Sequence, residues 1–247
     1  MGRVGVWRGA RAVLCALVLV LVWLPLPARA AQELAPVRVP VLVYHNVDYS
    51  GSEYSVTPEQ LDAQCRWLVE NGYTAVTLWQ FWDAAMGYGT LPPNSVLLTS
   101  DDGWSSAMTF AEILGRYGLV GNYFINNVSP LTSDEILYLA QHGSVQAHTA
   151  THQNLSHFDY AGQLAEISEN VTYLQQITGQ PVQFLSWPFG DRNETAVEAA
   201  AAAGIIGAFG LTGTGCHLHT IDPYHIPRIM MAVSDDIETF AAKVSWW

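Results

Sequence analysis

Two adjacent carboxylates, Asp101 and Asp102, followed by Gly103, are the first group in the chain able to do chemistry. They come directly after the β-rich run Ser95 to Thr99, and neighbouring side chains on extended backbone point in different directions. One carboxylate can therefore bind a cation while the other faces a different part of a site, and glycine allows the sharp turn such a corner needs. Alone, the run also suits a plain surface turn. His148 and His152 stand four apart, again after a short β-rich run. On a helical turn that spacing puts both imidazoles on one face, and a carboxylate would complete a two-histidine, one-carboxylate set with open positions. Thr149, not a glutamate, follows the first histidine, so a base must come from elsewhere, and Asp101 is the candidate. In a third cluster, Ser186-Trp187-Pro188-Phe189-Gly190, Trp187 and Phe189 could pack against a sugar face while Pro188 holds the loop rigid. Aromatic residues beside proline are equally ordinary core material.

The elements that would position these groups alternate. Val37 to Tyr44 reads as a strand, and Thr57-Pro58-Glu59-Gln60 opens a helix with a capping box and a proline in the first turn. Its apolar stripe is Leu61, Cys65, Leu68 and Val69, and Asn71-Gly72 ends it. Strand readings follow at Ser95 to Thr99, Val120 to Ile125, Val145 to Ala147, Phe184 to Ser186, Ile205 to Phe209 and Ile229 to Val233. Helices are expected through Ile113 and Leu114 up to Gly118, then over Thr132 to His142, Tyr160 to Thr178, Asn193 to Ala203 and Asp235 to Val244. This alternation implies parallel pairing in an α/β layer or barrel, with a doubly wound sheet still open. In such folds catalysis sits at the carboxyl ends of the strands, which is where all three clusters fall. No Gly-rich loop follows any strand, which counts against a nucleotide site.

Residues 1–30 read as a secretory signal peptide. Arg3, Arg8 and Arg11 precede an apolar stretch from Val13 to Leu24, and Ala28-Arg29-Ala30 offers a cleavage site before Ala31. The apolar stretch falls short of the roughly 20 residues of a spanning helix, so no stable membrane anchor is expected. Residues 31–247 then form one domain, placed by export in the periplasm, cell envelope or medium. The whole chain carries 10 basic and 22 acidic residues for a formal charge of −12. The leader holds four arginines and no acidic residue, so the remainder is more acidic still. Such a surface repels phosphate backbones, and nucleic acid is not an expected partner. Outside the leader only Cys65 and Cys216 remain; Cys65 shares a helical face with Leu61 and Leu68 and is expected as a buried thiol, and no zinc-ribbon or redox motif is present.

Thr99-Ser100-Asp101-Asp102-Gly103 resembles the T-F-D-D-G motif of the polysaccharide deacetylase (NodB homology) family, and His148-Thr149-Ala150-Thr151-His152 matches its H-[ST]-x-x-H motif. Val39-Pro40-Val41-Leu42-Val43-Tyr44-His45 is similar to the opening of the secreted branch, and Trp187-Pro188-Phe189-Gly190 to its third motif. The likeness runs from about Val39 to Met231. It implies a distorted (β/α) barrel, usually seven-stranded, acting on an N-acetylated glycan. Poly-N-acetylglucosamine is the first substrate expectation, with peptidoglycan or chitooligosaccharide as alternatives. A protein that binds metal and glycan without turnover is the alternative from another class. By position, Asp102, His148 and His152 would hold a divalent metal, zinc first, with nickel, cobalt or iron as alternatives, and Asp101 would be the general base. A backbone N–H near Trp187 would help hold the oxyanion, and His45, Trp187, Pro188 and Phe189 would contact substrate. Three departures stand out. Ser100 replaces a phenylalanine; Ser186 stands where many members carry an arginine that orients the base; and Ile229-Met230-Met231 lacks the late histidine that supplies the acid. Arg228 is expected to orient Asp101 instead, and His225, or else His45, to supply the acid.

Overall fold

The computed structural model describes residues 1–2 and 38–245, so the signal-peptide reading lies outside the described residues. The chain divides into two units, Met1–Leu34 and Ala35–Trp247, and the fold is that of the second.

Eight parallel strands build its sheet: β1 Val41–Tyr44, β2 Thr74–Ala75, β3 Ser95–Ser100, β4 Gly121–Ile125, β5 Gly143–Ala147, β6 Phe184–Ser186, β7 Gly207–Phe209 and β8 Ile229–Met230. Seven follow one path, β7-β6-β5-β4-β3-β1-β8, and the short β2 pairs with the start of β3. The ends of that path meet through one short segment. Ile226 bridges Phe209 of β7, and three residues later Ile229 and Met230 pair with Leu42 and Val43 of β1. The seven-stranded barrel expected from the motifs is therefore the one observed.

Strand residues alternate between two cores, as period-2 geometry requires. Val41, Leu97, Phe124, Phe184 and Phe209 belong to one core cluster. Leu42, Leu98, Tyr123, Ile125, Leu185 and Ala208 belong to a second, shared with the helices α1 Pro58–Glu70, α3 Ser106–Arg116, α4 Ser133–His142, α5 Tyr160–Thr178, α6 Glu194–Ala202 and α7 Ile237–Ser245. The helix α2, Leu78–Ala85, contributes Leu78 and Phe81 to the first cluster.

Buried amides close the gaps where strands diverge. Asn122 donates to Val76 and Leu98 carbonyls and accepts from the Leu78 N–H, and Gln146 accepts from the N–H groups of Gln183 and Phe184. The capping boxes at Thr57 and Thr132 form as read from sequence. The sequence reading missed β2 and α2, although Thr77 and Gln80 make a third capping box. Cys65 and Cys216 are both free and buried, in separate core clusters, and burial pushes both thiols up to about 12.

Candidate active site

Asp101 continues the inward register of Leu97 and Thr99 and ends inside the barrel with 2 % of its surface exposed. Arg228, fully buried, enters from the closing segment and meets it with two parallel 2.8 Å contacts, Nη1 to Oδ1 and Nη2 to Oδ2. Nη2 also donates to Ser186 Oγ, Nη1 to Thr99 Oγ1, and Nε to the Gly210 carbonyl. All five guanidinium donors are thus used, which a buried cation needs. Its carbon lies 5.5 Å from the Phe124 ring centre and 5.9 Å from that of Phe209. Ser186 Oγ donates to Asp101 Oδ2 at 2.8 Å, so the arginine and serine both contact the carboxylate that Arg228 is expected to orient. Burial would raise the Asp101 carboxyl, but the Arg228 and His148 charges outweigh it and hold it below the usual carboxylate range. Of roughly four acceptor positions on a carboxylate, three are filled, and the open one is on Oδ1.

Asp102 turns the other way. Its φ of 69° and that of Gly103, 73°, swing the chain out of the strand. At Gly103 a Cβ would meet Ile125 Cγ2 and Ser129 Oγ at 2.8 Å, so only glycine fits this corner. The Asp102 Oδ1 faces His148 Nε2 at 3.1 Å and His152 Nε2 at 3.0 Å, and its Oδ2 accepts from Trp104 Nε1 at 3.0 Å. The histidines do not share a helix face: residues 148–152 form an irregular turn in which Thr149 and His152 have φ of 67° and 56°.

Helix α5 holds that turn from behind. Asn170 accepts from the His148 N–H at 2.7 Å and donates to Ile125 O and Asn127 Oδ1, while Glu166 accepts from both the N–H and Oγ1 of Thr151. Neither residue was a sequence candidate. Their signal is the placing of Gln163, Glu166 and Asn170 among Ile167, Val171 and Leu174 on one buried helix face, polar groups where an apolar stripe is expected.

The triad fits a divalent cation. His148 Nδ1 lies 2.8 Å from the Ser186 carbonyl, so its N–H points there and the Nε2 lone pair aims at the Asp102 carboxylate. Two ring nitrogens and a carboxylate oxygen, all within 4.8 Å of one another, thus converge on one point. The alternative, protonating both rings, would set like charges on imidazoles whose centres are 4.7 Å apart. Burial lowers the His148 pKa, but the carboxylates of Asp102 and Asp101 outweigh it and raise it above the ordinary histidine value.

Both aspartates, both histidines, His45, Trp187 and Phe189 line one cavity of about 470 Å³, with Asn46, Tyr54, Trp104, Leu211 and Met230 completing it. Phe189 is 64 % exposed and presents its ring to solvent. Trp187 is fully buried and its indole N–H donates to the Tyr224 carbonyl, so it serves as a wall rather than a platform, and Pro188 is buried beneath it. The Trp187 backbone N–H donates to Phe209 O, so a backbone N–H near Trp187 that helps hold an oxyanion would have to be a neighbouring one. His225 packs on Gly210, whose added Cβ would sit 2.7 Å from its ring, and it is not among the residues that line the cavity. His45 does, and its Nδ1 is buried with no partner among the described residues. Burial holds the His45 pKa below the ordinary histidine value, against the opposing pull of Asp101 and Asp102.

The polysaccharide deacetylase model matches residues 88–208. A Bacillus subtilis (strain 168) relative named for that family, YxkH, is 28 % identical over 68 % of this chain and 63 % of its own length. The poly-β-1,6-N-acetyl-D-glucosamine N-deacetylase of Escherichia coli O157:H7 is 26 % identical over 81 % of this chain and 38 % of its own length. The chain therefore spans less than two thirds of either relative. Among solved structures, the Streptococcus pyogenes deacetylase PplD, in complex with acetate, superposes with a TM-score of 0.80 at 20 % identity, covering 85 % of this chain and all of that one, a likeness of fold.

Proposed function

This chain belongs to the polysaccharide deacetylase family, and from that premise we propose that it is an exported, metal-dependent hydrolase releasing acetate from N-acetylglucosamine units of a glycan. The observation that carries the reading is the division of labour between adjacent aspartates, one locked by a guanidinium and one facing two imidazoles across a cavity. Asp102, His148 and His152 would hold the cation, zinc first, with nickel, cobalt or iron admitted by the same donor set. A cation there supplies a Lewis acid for the amide carbonyl and a lowered pKa for a bound water.

The chain's own groups do the rest. Asp101 accepts the proton of the attacking water at the open position on Oδ1, while Arg228 and Ser186 keep its carboxylate in one orientation. His45, the histidine lining the cavity outside the triad, passes a proton to the leaving amine; because burial favours its neutral form, that proton is one it takes up during the reaction. Phe189 offers an exposed ring to the apolar face of a sugar. The E. coli relative's name supports poly-β-1,6-N-acetylglucosamine as the substrate class. Residues 1–30 act as a cleaved export leader and residues 31–247 as the catalytic domain; N-terminal sequencing of exported protein should begin at Ala31.

The test is acetate release from N-acetylglucosamine oligomers with and without added zinc. Zinc-dependent release should vanish in Asp101→Asn and His148→Ala, and fall by about 10²–10⁴-fold in His45→Gln with zinc still bound. Stoichiometric zinc with no release from any N-acetylated glycan would replace this reading with a metal- and glycan-binding protein.

A further inference from the structure

Trp104 follows Gly103 directly and belongs to neither the paired-aspartate nor the paired-histidine motif. Its indole is 48 % exposed, yet its single N–H is turned inward, donating to Asp102 Oδ2 at 3.0 Å. The other oxygen of that carboxylate is the one shared by the two imidazoles. A carboxylate with one oxygen pinned has lost rotation about its terminal torsion, and it offers the other oxygen in a fixed direction. Trp104 also lines two cavities. One is the space of about 470 Å³ bordered by both aspartates and His45. The other is a smaller one of about 230 Å³ lined by Asn126, Val128, Ser129 and Thr151. Asp102, Trp104 and His152 border both.

The smaller cavity has the chemistry of a sugar subsite. It has an aromatic wall, an apolar edge at Val128, and an Asn126 side chain whose carbonyl accepts from the Val128 N–H while its amide donors have no partner among the described residues. Its volume is below the range of about 300–1,000 Å³ typical of a whole ligand site, which suits a single further unit of a chain that continues into the larger cavity. An exposed tryptophan beside such a space leaves a large apolar face wet unless something covers it.

Building on the deacetylase reading, we propose that Trp104 is a positioning residue joining the two binding events: its N–H sets Asp102 for the metal, and its ring stacks on a second pyranose seated in the smaller cavity. An extended glycan then crosses the site with its acetamide over the triad and its neighbouring unit on the indole.

Two variants separate the two roles. Trp104→Phe keeps a ring and loses the N–H; Trp104→Ala loses both. Metal-free protein is titrated with zinc against a chelating dye, and KM for N-acetylglucosamine oligomers is measured at saturating zinc. We expect zinc affinity to fall about 10–100-fold in both variants, the usual cost of removing a partner of a metal ligand. KM should stay near wild type in Trp104→Phe and rise in Trp104→Ala, more for a trimer than for a monomer. Unchanged zinc affinity in Trp104→Phe overturns the positioning role, and equal KM values for the two variants overturn the stacking role. A wild-type protein that binds no zinc would sink the metal reading itself, an outcome distinct from either.

Discussion

Asp101 and Asp102 are neighbours in sequence and share a backbone corner, yet they are held by unlike devices. Around Asp101 each carboxylate oxygen and every guanidinium donor has a partner, with one acceptor position on Oδ1 left open: the guanidinium uses five donors, and Ser186 and Thr99 fill in between. Around Asp102 the match is incomplete, because a neutral His148 that gives its Nδ1–H to the Ser186 carbonyl turns a lone pair toward the carboxylate oxygen that His152 Nε2 also faces. The first arrangement is complete without a ligand and the second asks for a cation. A buried ion pair seldom adds net stability but costs much when broken, so the matched half should govern folding and the mismatched half metal binding.

The largest effect tests the mismatched half. In His148→Ala, zinc affinity should fall by more than the roughly 10–100-fold of an outer-partner change, with acetate release lost. Metal-free stability should fall less than in Arg228→Met, because His148→Ala loses packing and one buried hydrogen bond but strands no fully buried carboxylate. Equilibrium dialysis and urea unfolding give the two readings, and a large loss of metal-free stability would break the comparison.

Arg228→Met tests the other half with the opposite signature. It strands Asp101 as an unpaired buried carboxylate, and about 3–5 kcal/mol of stability should disappear. Adding Asp101→Asn should restore much of that stability while acetate release stays absent. Zinc stoichiometry should survive in the double variant if the two halves are independent. Concerted loss of zinc and stability would show one network rather than two. Ser186→Ala is the milder form: it removes one donor to Asp101 and one acceptor from Arg228, at about 1–3 kcal/mol. Acetate release should decline while zinc affinity holds, and a drop in zinc affinity would place the serine in the metal half, through the carbonyl that orients His148.

The two halves were also unequally legible in the sequence. Asp102, His148 and His152 fall in two short runs that resemble family motifs, and it is that resemblance, more than the spacing alone, that marks them. Arg228 lies 127 positions from Asp101, and only its scarcity as a cation and the serine at position 186 pointed to it. The helices were read well where capping boxes mark them, as at Thr57 and Thr132. The two-residue strand β2 has no period to detect, and it was missed. His225 was preferred over His45 as the acid on nearness to the expected late motif. Chain order says nothing about which loop tip bends over the barrel mouth, and the structure sets His45, not His225, in the cavity. The turn at residues 148–152 was read as helical because a four-residue spacing fits a helix, but Thr149 and His152 are left-handed, a conformation that spacing alone cannot reveal.

That turn supplies the smallest and most discriminating prediction. Left-handed backbone at a β-branched threonine is costly, so something outside the turn must hold it. The candidates are the metal itself and Glu166, whose two carboxylate oxygens take the Thr151 N–H at 2.9 Å and its hydroxyl at 2.8 Å. Glu166→Gln keeps the shape and one acceptor but loses the second. If α5 preorganises the turn, the lost hydrogen bond, about 0.5–1.5 kcal/mol, should appear as a several-fold weaker zinc affinity, since about 1.4 kcal/mol is tenfold. The Asp101 half should not register the change, so urea unfolding of zinc-loaded protein should shift only by the affinity lost. Unchanged zinc affinity would mean that the cation shapes its own turn on binding. The mismatched half would then be unformed as well as unpaired before metal arrives, and the contrast with the Asp101 half would be greater.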